Sequence, residues 1–239
     1  MTTIRFRNRK EAGQRLAALL SSYAKRDDVV VLGLPRGGVP VAAEVARALE
    51  APLDVFLVRK LGAPGHAEFA MGAIATGGVQ VLNHDAIAEL RIPPALIEQI
   101  AERERIELER RDKAYHIDRP PVALQGKTVI VVDDGLATGS TMEAAVIALR
   151  EHHPTKIVVS APVGAVESCQ RLRAVADEVV CVETPDPFNA VGLWYQAFDQ
   201  TTDAEVVDLL RARTEDGTQR AVVYPSPMQP EEVDGIASR

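Results

Sequence analysis

The segment Val129–Thr141, VIVVDDGLATGST, decides how the rest of the chain reads. Its four leading residues are apolar on both faces of a strand, the pattern of a buried strand in a parallel sheet. Two adjacent carboxylates, Asp133 and Asp134, close that strand. A turn of small and hydroxyl residues, Ala137-Thr138-Gly139-Ser140-Thr141, then leads into a helix that starts near Met142. In an open α/β sheet, ligands bind at the carboxyl ends of the strands. A turn opening a helix offers backbone N–H groups and a positive dipole end to a phosphate. Carboxylates beside such a cradle would repel an anion, so they must address hydroxyl groups or a cation on the same ligand. A phosphorylated sugar meets both demands.

Similar apolar runs occur at Val29–Leu34, Leu53–Val58, Lys156–Ala161 and Glu178–Val182. Helical periodicity fills the gaps: Val41, Ala42, Val45, Ala46 and Leu49; Met142, Ala145, Val146 and Leu149; Ala165, Cys169, Leu172 and Val175. Strand and helix alternate, which predicts an α/β fold with a doubly wound parallel sheet. Ahead of the first strand, Asn8 caps a helix carrying Ala12, Leu16, Leu19, Leu20 and Tyr23. Two stretches break the rhythm. Met71–Leu82 reads as a hairpin around Gly77-Gly78. Ala95–His116 reads as a charged, solvated helix docked through Leu96, Ile97, Ile100 and Leu108, with i,i+4 pairs Arg103/Glu107, Arg105/Glu109, Glu107/Arg111 and Glu109/Lys113. The expected layout is one domain over 1–213, with a charged helical insertion at 83–118 and a loosely structured tail at 214–239.

Composition narrows the function. A chain of 239 residues with 46% hydrophobic residues can bury a sizeable core, and its net charge of −7 argues against affinity won by neutralising nucleic-acid phosphates. No nucleic-acid partner is expected. Cys169 and Cys181 are the only cysteines, which excludes a disulfide framework and metal-type spacing and suggests a reducing compartment. Without an apolar run long enough to span a bilayer or a signal peptide, the expected location is cytoplasmic and away from the membrane. The five histidines lack metal-ligand spacing, and neither a P-loop nor a nucleophile elbow is present. A receiver domain also carries an acid pair, but here the following strand ends in Ser160-Ala161-Pro162 without the Asp such a domain would phosphorylate.

An apolar strand, two acids and a Thr-Gly phosphate turn resemble the phosphoribosyl pyrophosphate (PRPP) signature of the type I phosphoribosyltransferases. The resemblance extends over roughly residues 29–200 and implies that family's fold, with a small hairpin and helix insertion and a C-terminal hood. It implies that Asp133 and Asp134 face the ribose hydroxyls, and that Gly135, Ala137, Thr138, Gly139, Ser140 and Thr141 form the PRPP loop with the 5′-phosphate on 137–141. Gly33–Pro40, GLPRGGVP, looks like the family's pyrophosphate loop: Gly37 and Gly38 admit an anion closely, and Arg36 suits bidentate phosphate contact. Arg59 and Lys60 open a Gly/Pro-rich stretch through Phe69 that is similar to the mobile catalytic loop. Arg59 would then contact PRPP, Lys60 would act in catalysis, and Glu68 is a weaker candidate for proton handling.

The hood stretch Glu183–Gln200 resembles the nucleobase pocket of purine phosphoribosyltransferases, with Phe188 as the stacking ring and Trp194 beside it. The same aromatics could equally close one end of the core. Enzymes of this family acting on 6-oxopurines carry an Asp where this chain has Ala137, and a Lys missing from Ala161–Ala165, so an adenine-type pattern is the nearer match. The implied activity is transfer of the 5-phosphoribosyl group from PRPP to a nitrogenous base, such as a purine, with release of pyrophosphate. Mg²⁺ would come with PRPP, with no protein ligand beyond Asp133 and Asp134, and a homodimer is expected. The competing reading is a non-catalytic PRPP-binding regulator on the same fold. Such regulators commonly add a basic surface, which an acidic chain does not favour.

Overall fold

The computed structural model describes residues 5–63, 66–116 and 120–215, without the side chains of 66–70 and 213–215. Five strands, β1 (Val29–Gly33), β2 (Leu53–Val55), β6 (Thr128–Val132), β7 (Lys156–Val163) and β8 (Glu178–Glu183), form a parallel sheet in the order β2-β1-β6-β7-β8. The strand carrying the acid pair lies at its centre, paired with β1 in the register Val29↔Thr128 to Gly33↔Val132. Between these strands come β3 (Val58–Ala63), β4 (His66–Ala75) and β5 (Val79–Leu82), which form a separate antiparallel sheet.

Continuous apolar runs are explained by the two faces of the large sheet. Val29, Val31, Ile130 and Val132 point into a core shared with α1 (Arg9–Leu19), α2 (Gly38–Leu49), α4 (Pro94–Tyr115) and α7 (Asp203–Glu215). Val30, Leu32, Val129 and Val131 point the other way, into a core shared with α5 (Ser140–Arg150) and α6 (Val166–Leu172). The central strands β1 and β6 therefore bury both faces, as a doubly wound fold requires, while the edge strand β8 is half-buried throughout.

Five expectations need correction. The run Leu53–Val58 is not one strand: β2 pairs with β1 only at 53–55, and Val58 begins the second sheet. The handover is fixed by Phe56, whose N–H donates to the Gly33 carbonyl at 3.1 Å, and by Leu57, whose N–H donates to Thr76 Oγ1 at 2.9 Å. The stretch expected as a mobile loop is mostly β3 and β4, paired from Val58↔Ala75 through Ala63↔His66 with register shifts around Gly62. Its turn, residues 64 and 65, lies outside the described residues. Leu19, expected on the buried face of α1, is 54% exposed. The chain is also helical past Arg213, to Glu215; residues 216–239 lie outside the described ones.

Other expectations hold. Asn8 caps α1, its side chain accepting from the Glu11 N–H. The β4–β5 hairpin turns on Gly77 and Gly78, whose φ values of 83° and 77° suit glycine in a two-residue turn. A short α3 (His84–Glu89) precedes α4. Helix α4, the fifth correction, is not a solvated outrigger, because Ile97, Ala101, Leu108 and Tyr115 are buried in the main core while Leu96 and Ile100 pack against it. Of its expected charge pairs, Glu107–Arg111 forms at 2.8 Å, and Glu104 leaves the helix surface to pair with Arg59 of β3. No helix among the described residues is long and apolar enough to cross a membrane.

Candidate active site

Strand β6 ends in the acid pair. The Asp134 N–H donates to Asp133 Oδ1 at 2.8 Å, curling the first carboxylate back over the strand end. Burial and then the neighbouring Asp134 charge push the Asp133 carboxyl well above the usual carboxylate range, to about 8. Burial raises Asp134 as well, opposed by Arg9. That guanidinium donates from Nε to Asp134 Oδ2 at 2.8 Å, with the two side chains 13% and 14% exposed. Two half-buried carboxylates therefore stand beside one cation that bonds only the second, which leaves negative charge poorly compensated at a strand end.

The Gly37-Gly38 loop closes directly on this pair. A Cβ added at Gly37 would collide with Asp134 Oδ2, and one at Gly38 would lie 2.6 Å from the Val132 carbonyl oxygen. Only glycine lets the two loops meet, since no other side chain fits that gap. Helix α2 starts at Gly38 without a side-chain cap, so its positive end faces the carboxylates. The Pro35–Arg36 peptide is cis. Arg36 is half-buried and lies 3.9 Å from Asp203 at the start of α7.

The 137–141 turn forms the third wall. Thr138 Oγ1 and Ser140 Oγ are 2.8 Å apart, and both residues are exposed. Gly139, at φ 68°, gives α5 no side-chain cap. The Ser140 N–H reaches Thr138 Oγ1 only at 3.5 Å, the outer limit of a hydrogen bond. The turn is held from behind: Ser168 Oγ donates to the Ala137 carbonyl at 2.5 Å, and Arg171 donates to the Thr138 carbonyl. Fixing the carbonyls toward α6 orients the turn's amides to the opposite side.

The hood covers the acid pair from above. A Cβ on Gly135 would sit 2.5 Å from Val191 Cγ1, and Tyr195 Oη donates to the Asp134 carbonyl at 2.6 Å. Phe6 joins by parallel bridging to Tyr195, while Arg9, lying over the Phe198 ring at 3.9 Å, also donates to the Asp199 carbonyl at 2.7 Å. Phe188 and Trp194 stack on one another with centroids 6.5 Å apart and planes 16° from parallel, and both stay partly open. They take part in the small apolar cluster of Phe6, Ala12, Val163 and Tyr195.

On the far side, Leu34, Pro35, Phe56, Arg59, Leu108, Arg111 and Thr141 line a cleft between the Gly loop, α4 and α5. Arg59 is held there by Glu104, with Nε to Oε2 at 2.9 Å. Lys60, opposite Ala73, projects to the other face of the small sheet from Arg59 by strand alternation. Glu68 falls on β4 with its side chain outside the described residues. Among the described residues no group of three or more His, Cys, Asp or Glu side chains gathers to hold a metal.

Tertiary structure thus unites Gly37, Gly38, Asp133, Asp134 and the 137–141 turn at the carboxyl edge of β1 and β6. A model of the phosphoribosyl transferase domain matches residues 5–197. The chain belongs to the phosphoribosyl transferase domain family. It is 44% identical over 236 residues to a protein of two Mycobacterium tuberculosis strains, CDC 1551 and H37Rv, named provisionally as a phosphoribosyl transferase. That alignment covers 97% of this chain and 53% of the relative, so the chain spans about half the length of the curated relatives it matches. It also resembles the solved structure of TT1426 from Thermus thermophilus, with 46% identity and a TM-score of 0.79 over 87% of this chain and 98% of the other. The matched span starts at residue 5, ahead of the first strand, and so includes Arg9, which reading from the strands outward leaves out. Arg9, Ser168 and Arg171 are the site-supporting residues the sequence did not single out. Nothing in their local spacing marks them: Arg9 sits among Arg5 and Arg7, and the other two lie on a short amphipathic helix.

Proposed function

We propose that the chain transfers the 5-phosphoribosyl group of PRPP to a nitrogenous base, releasing pyrophosphate. The observation that carries this reading is the closure of Gly37-Gly38 onto Asp133-Asp134 beside an uncapped helix start, an arrangement suited to one ligand that bears hydroxyl and phosphate groups. The 137–141 amides and hydroxyls hold the 5′-phosphate. Asp133 and Asp134 accept from the ribose 2′- and 3′-hydroxyls and stand beside the sugar ring as positive charge develops there. The Gly37-Gly38 loop and Arg36 face the pyrophosphate. As the bond from ribose C1 to the pyrophosphate oxygen breaks, a bond from C1 to the base nitrogen forms and the base loses its N–H proton, with Glu68 as the proposed acceptor.

The donor set fits a metal that arrives with the ligand: two adjacent carboxylates, both raised by burial, in the absence of a third acid or imidazole among the described residues. Mg²⁺ would neutralise pyrophosphate charge, with Asp133 and Asp134 the protein groups nearest to it. Arg59 lines the cleft, and Lys60, its neighbour on β3, is the proposed catalytic cation. Lys60→Ala accordingly lowers kcat much more than it raises KM for PRPP.

Phe188 keeps a partly open face for the acceptor, and the absence of a basic side chain in Glu183–Asn189 suits an aminopurine better than a 6-oxopurine. The test is pyrophosphate release from PRPP and Mg²⁺ across purines, pyrimidines and small amines. Release with adenine, weakened in Phe188→Ala, is the expected result. Release with guanine or hypoxanthine alone refutes the preference. Mg²⁺-dependent PRPP binding without release with any acceptor transfers the assignment to a regulator.

A further inference from the structure

The two cysteines take no part in this reaction, yet they meet. Cys169 of α6 and Cys181 of β8 stand Sγ to Sγ at 3.3 Å, the first buried and the second partly open. A Cβ on Gly164 would lie 2.7 Å from Cys169 Sγ, 3.3 Å from Cys181 Sγ and 3.3 Å from Leu136 Cβ. Both sulfurs therefore pack on the backbone that bridges to Leu136. That bridge is tight: the Leu136 N–H donates to the Val163 carbonyl and the Ala165 N–H to the Leu136 carbonyl, each at 2.9 Å. On α6, Ser168 immediately precedes Cys169 and Arg171 follows it by two. These are the residues that hold the carbonyls of Ala137 and Thr138. The thiol pair, the bridge and both anchors of the phosphate turn form one packed unit.

We propose that Cys169 and Cys181 form a reversible disulfide when oxidised by a hydroperoxide, and that its formation releases the 137–141 turn, placing phosphate-ester binding under redox control. The affinity part rests on the turn being a phosphate site.

The Cys181 hydrogen bond, opposed by burial, brings the Cys169 thiol down to about 7, so near neutral pH the pair holds a single shared proton. The Cys169 hydrogen bond and burial push the Cys181 thiol up, so the shared proton rests mainly on Cys181; when it passes to Cys169, the partly open Cys181 thiolate attacks the peroxide. An S–O bond forms, the O–O bond breaks, and the departing hydroxide takes the Cys169 proton to become water. The Cys169 thiolate then attacks the sulfenic sulfur. An S–S bond forms, the S–O bond breaks, and hydroxide leaves to be protonated by solvent. Two sulfurs lose two electrons, and hydrogen peroxide is reduced to two waters. An S–S bond is about 2.05 Å long. From 3.3 Å the sulfurs must close by more than an ångström, drawing α6 toward β8 and carrying Ser168 and Arg171 with it. In a reducing compartment such a bond is transient, as a signal requires.

The test treats the full chain with hydrogen peroxide and then dithiothreitol. Peptide mass spectrometry should find Cys169 linked to Cys181, two hydrogens lighter, and reversed by the reductant. Hydrogen exchange of the 135–140 amides should quicken on oxidation and recover. Calorimetry with ribose 5-phosphate should show an affinity loss on the order of tenfold, the scale of one weakened charge-assisted contact. Cys181→Ser, at the partly open position, should abolish all three responses, with Cys169→Ser as a second control. Absence of the cross-link, or a cross-link with unchanged amide exchange, overturns the proposal. If reduced protein fails to bind ribose 5-phosphate while exchange still answers to peroxide, the phosphate reading falls and the coupling stands.

Discussion

Two buried carboxylate clusters in this molecule are built in opposite ways. In one, Asp54 of β2 accepts from the N–H groups of Val55 and Val122, each at 2.8 Å, and its Oδ1 meets His116 Nε2 at 2.9 Å. Asp112 lies on the other ring nitrogen, at 3.2 Å from His116 Nδ1. Burial opposes charge on this imidazole, but Asp112 and Asp54 overcome it and raise His116 to about 9. In the other cluster, Asp133 and Asp134 sit side by side with Arg9 bonded only to the second. The first cluster sets two carboxylates against one imidazole and ties the end of α4 to the sheet, although Asp112 Oδ1 accepts no hydrogen bond. The second has a single arginine bonded to one of its two acids, the imbalance expected of the ligand site proposed above.

The contrast can be broken most forcefully at His116. Removing one partner of a buried charged cluster typically costs about 3–5 kcal/mol. His116→Ala should therefore lower Tm markedly while leaving PRPP affinity of the remaining folded protein unchanged, as read by denaturant melts and calorimetry. A large affinity loss without a stability loss would erase the distinction. The same cluster has a pH signature. Because the His116 pKa is raised in the fold, from the ordinary 6.5 to about 9, its contribution is complete below 6.5 and lost as pH climbs through 9. Melts from pH 6 to about pH 10 should show that loss in the wild type and not in His116→Gln.

Next in size come the acids. Asp133→Asn or Asp134→Asn should remove the charge-assisted hydrogen bond proposed to the ribose, worth about 1.5–3 kcal/mol, and so roughly one to two decades of PRPP affinity. The stability effect should have the opposite sign to that at His116. A carboxyl raised by burial disfavours the folded state above its unfolded pKa, so Asp133→Asn should hold or raise Tm at neutral pH. A fall in Tm with intact affinity would make the pair a turn device only.

Smaller again is the coupling of Arg9 to Asp134, expected at about 0.5–3 kcal/mol in a double-mutant cycle with Arg9→Met and Asp134→Asn. Additive effects would detach the N-terminal helix from the site. Smallest is Glu107→Gln on the solvent side of α4, where Arg110 and Arg111 hold the carboxylate at the surface. Exposed ion pairs of this kind contribute little. Neither Tm nor PRPP affinity should move beyond experimental error.

How much was legible beforehand follows from the range of each interaction. Runs such as Val129–Val132 announce their strands because burial on both faces demands apolar residues at consecutive positions. Asn8, Gly77-Gly78 and the 137–141 turn are likewise readable, since capping and turn geometry act within a few residues. The acid pair and the Gly37-Gly38 loop could be proposed as partners because parallel topology brings the ends of the first and third long strands together. Their approach, close enough that a Cβ on Gly37 would strike Asp134 Oδ2, belongs to the folded chain alone.

The remaining features depend on residues far apart in sequence, and no local pattern encodes them. Arg9 reaches Asp134 across 125 positions because α1 packs beside the hood, and one arginine among several gives no hint of it. Arg59 has Glu104 as its partner only because α4 lies on the small sheet and is not a solvated arm. Cys169 and Cys181 are separated by 12 residues in sequence, and they meet only because α6 returns the chain so that β8 pairs beside β7. By itself the sequence determined the strands of the large sheet, most helices and the small-residue turns, since those choices answer to nearest neighbours and to burial, whereas β3 and the start of β4 emerged only in the fold. Tertiary structure alone decided which charges are closely compensated and which are not, because electrostatic pairing depends on distance in space.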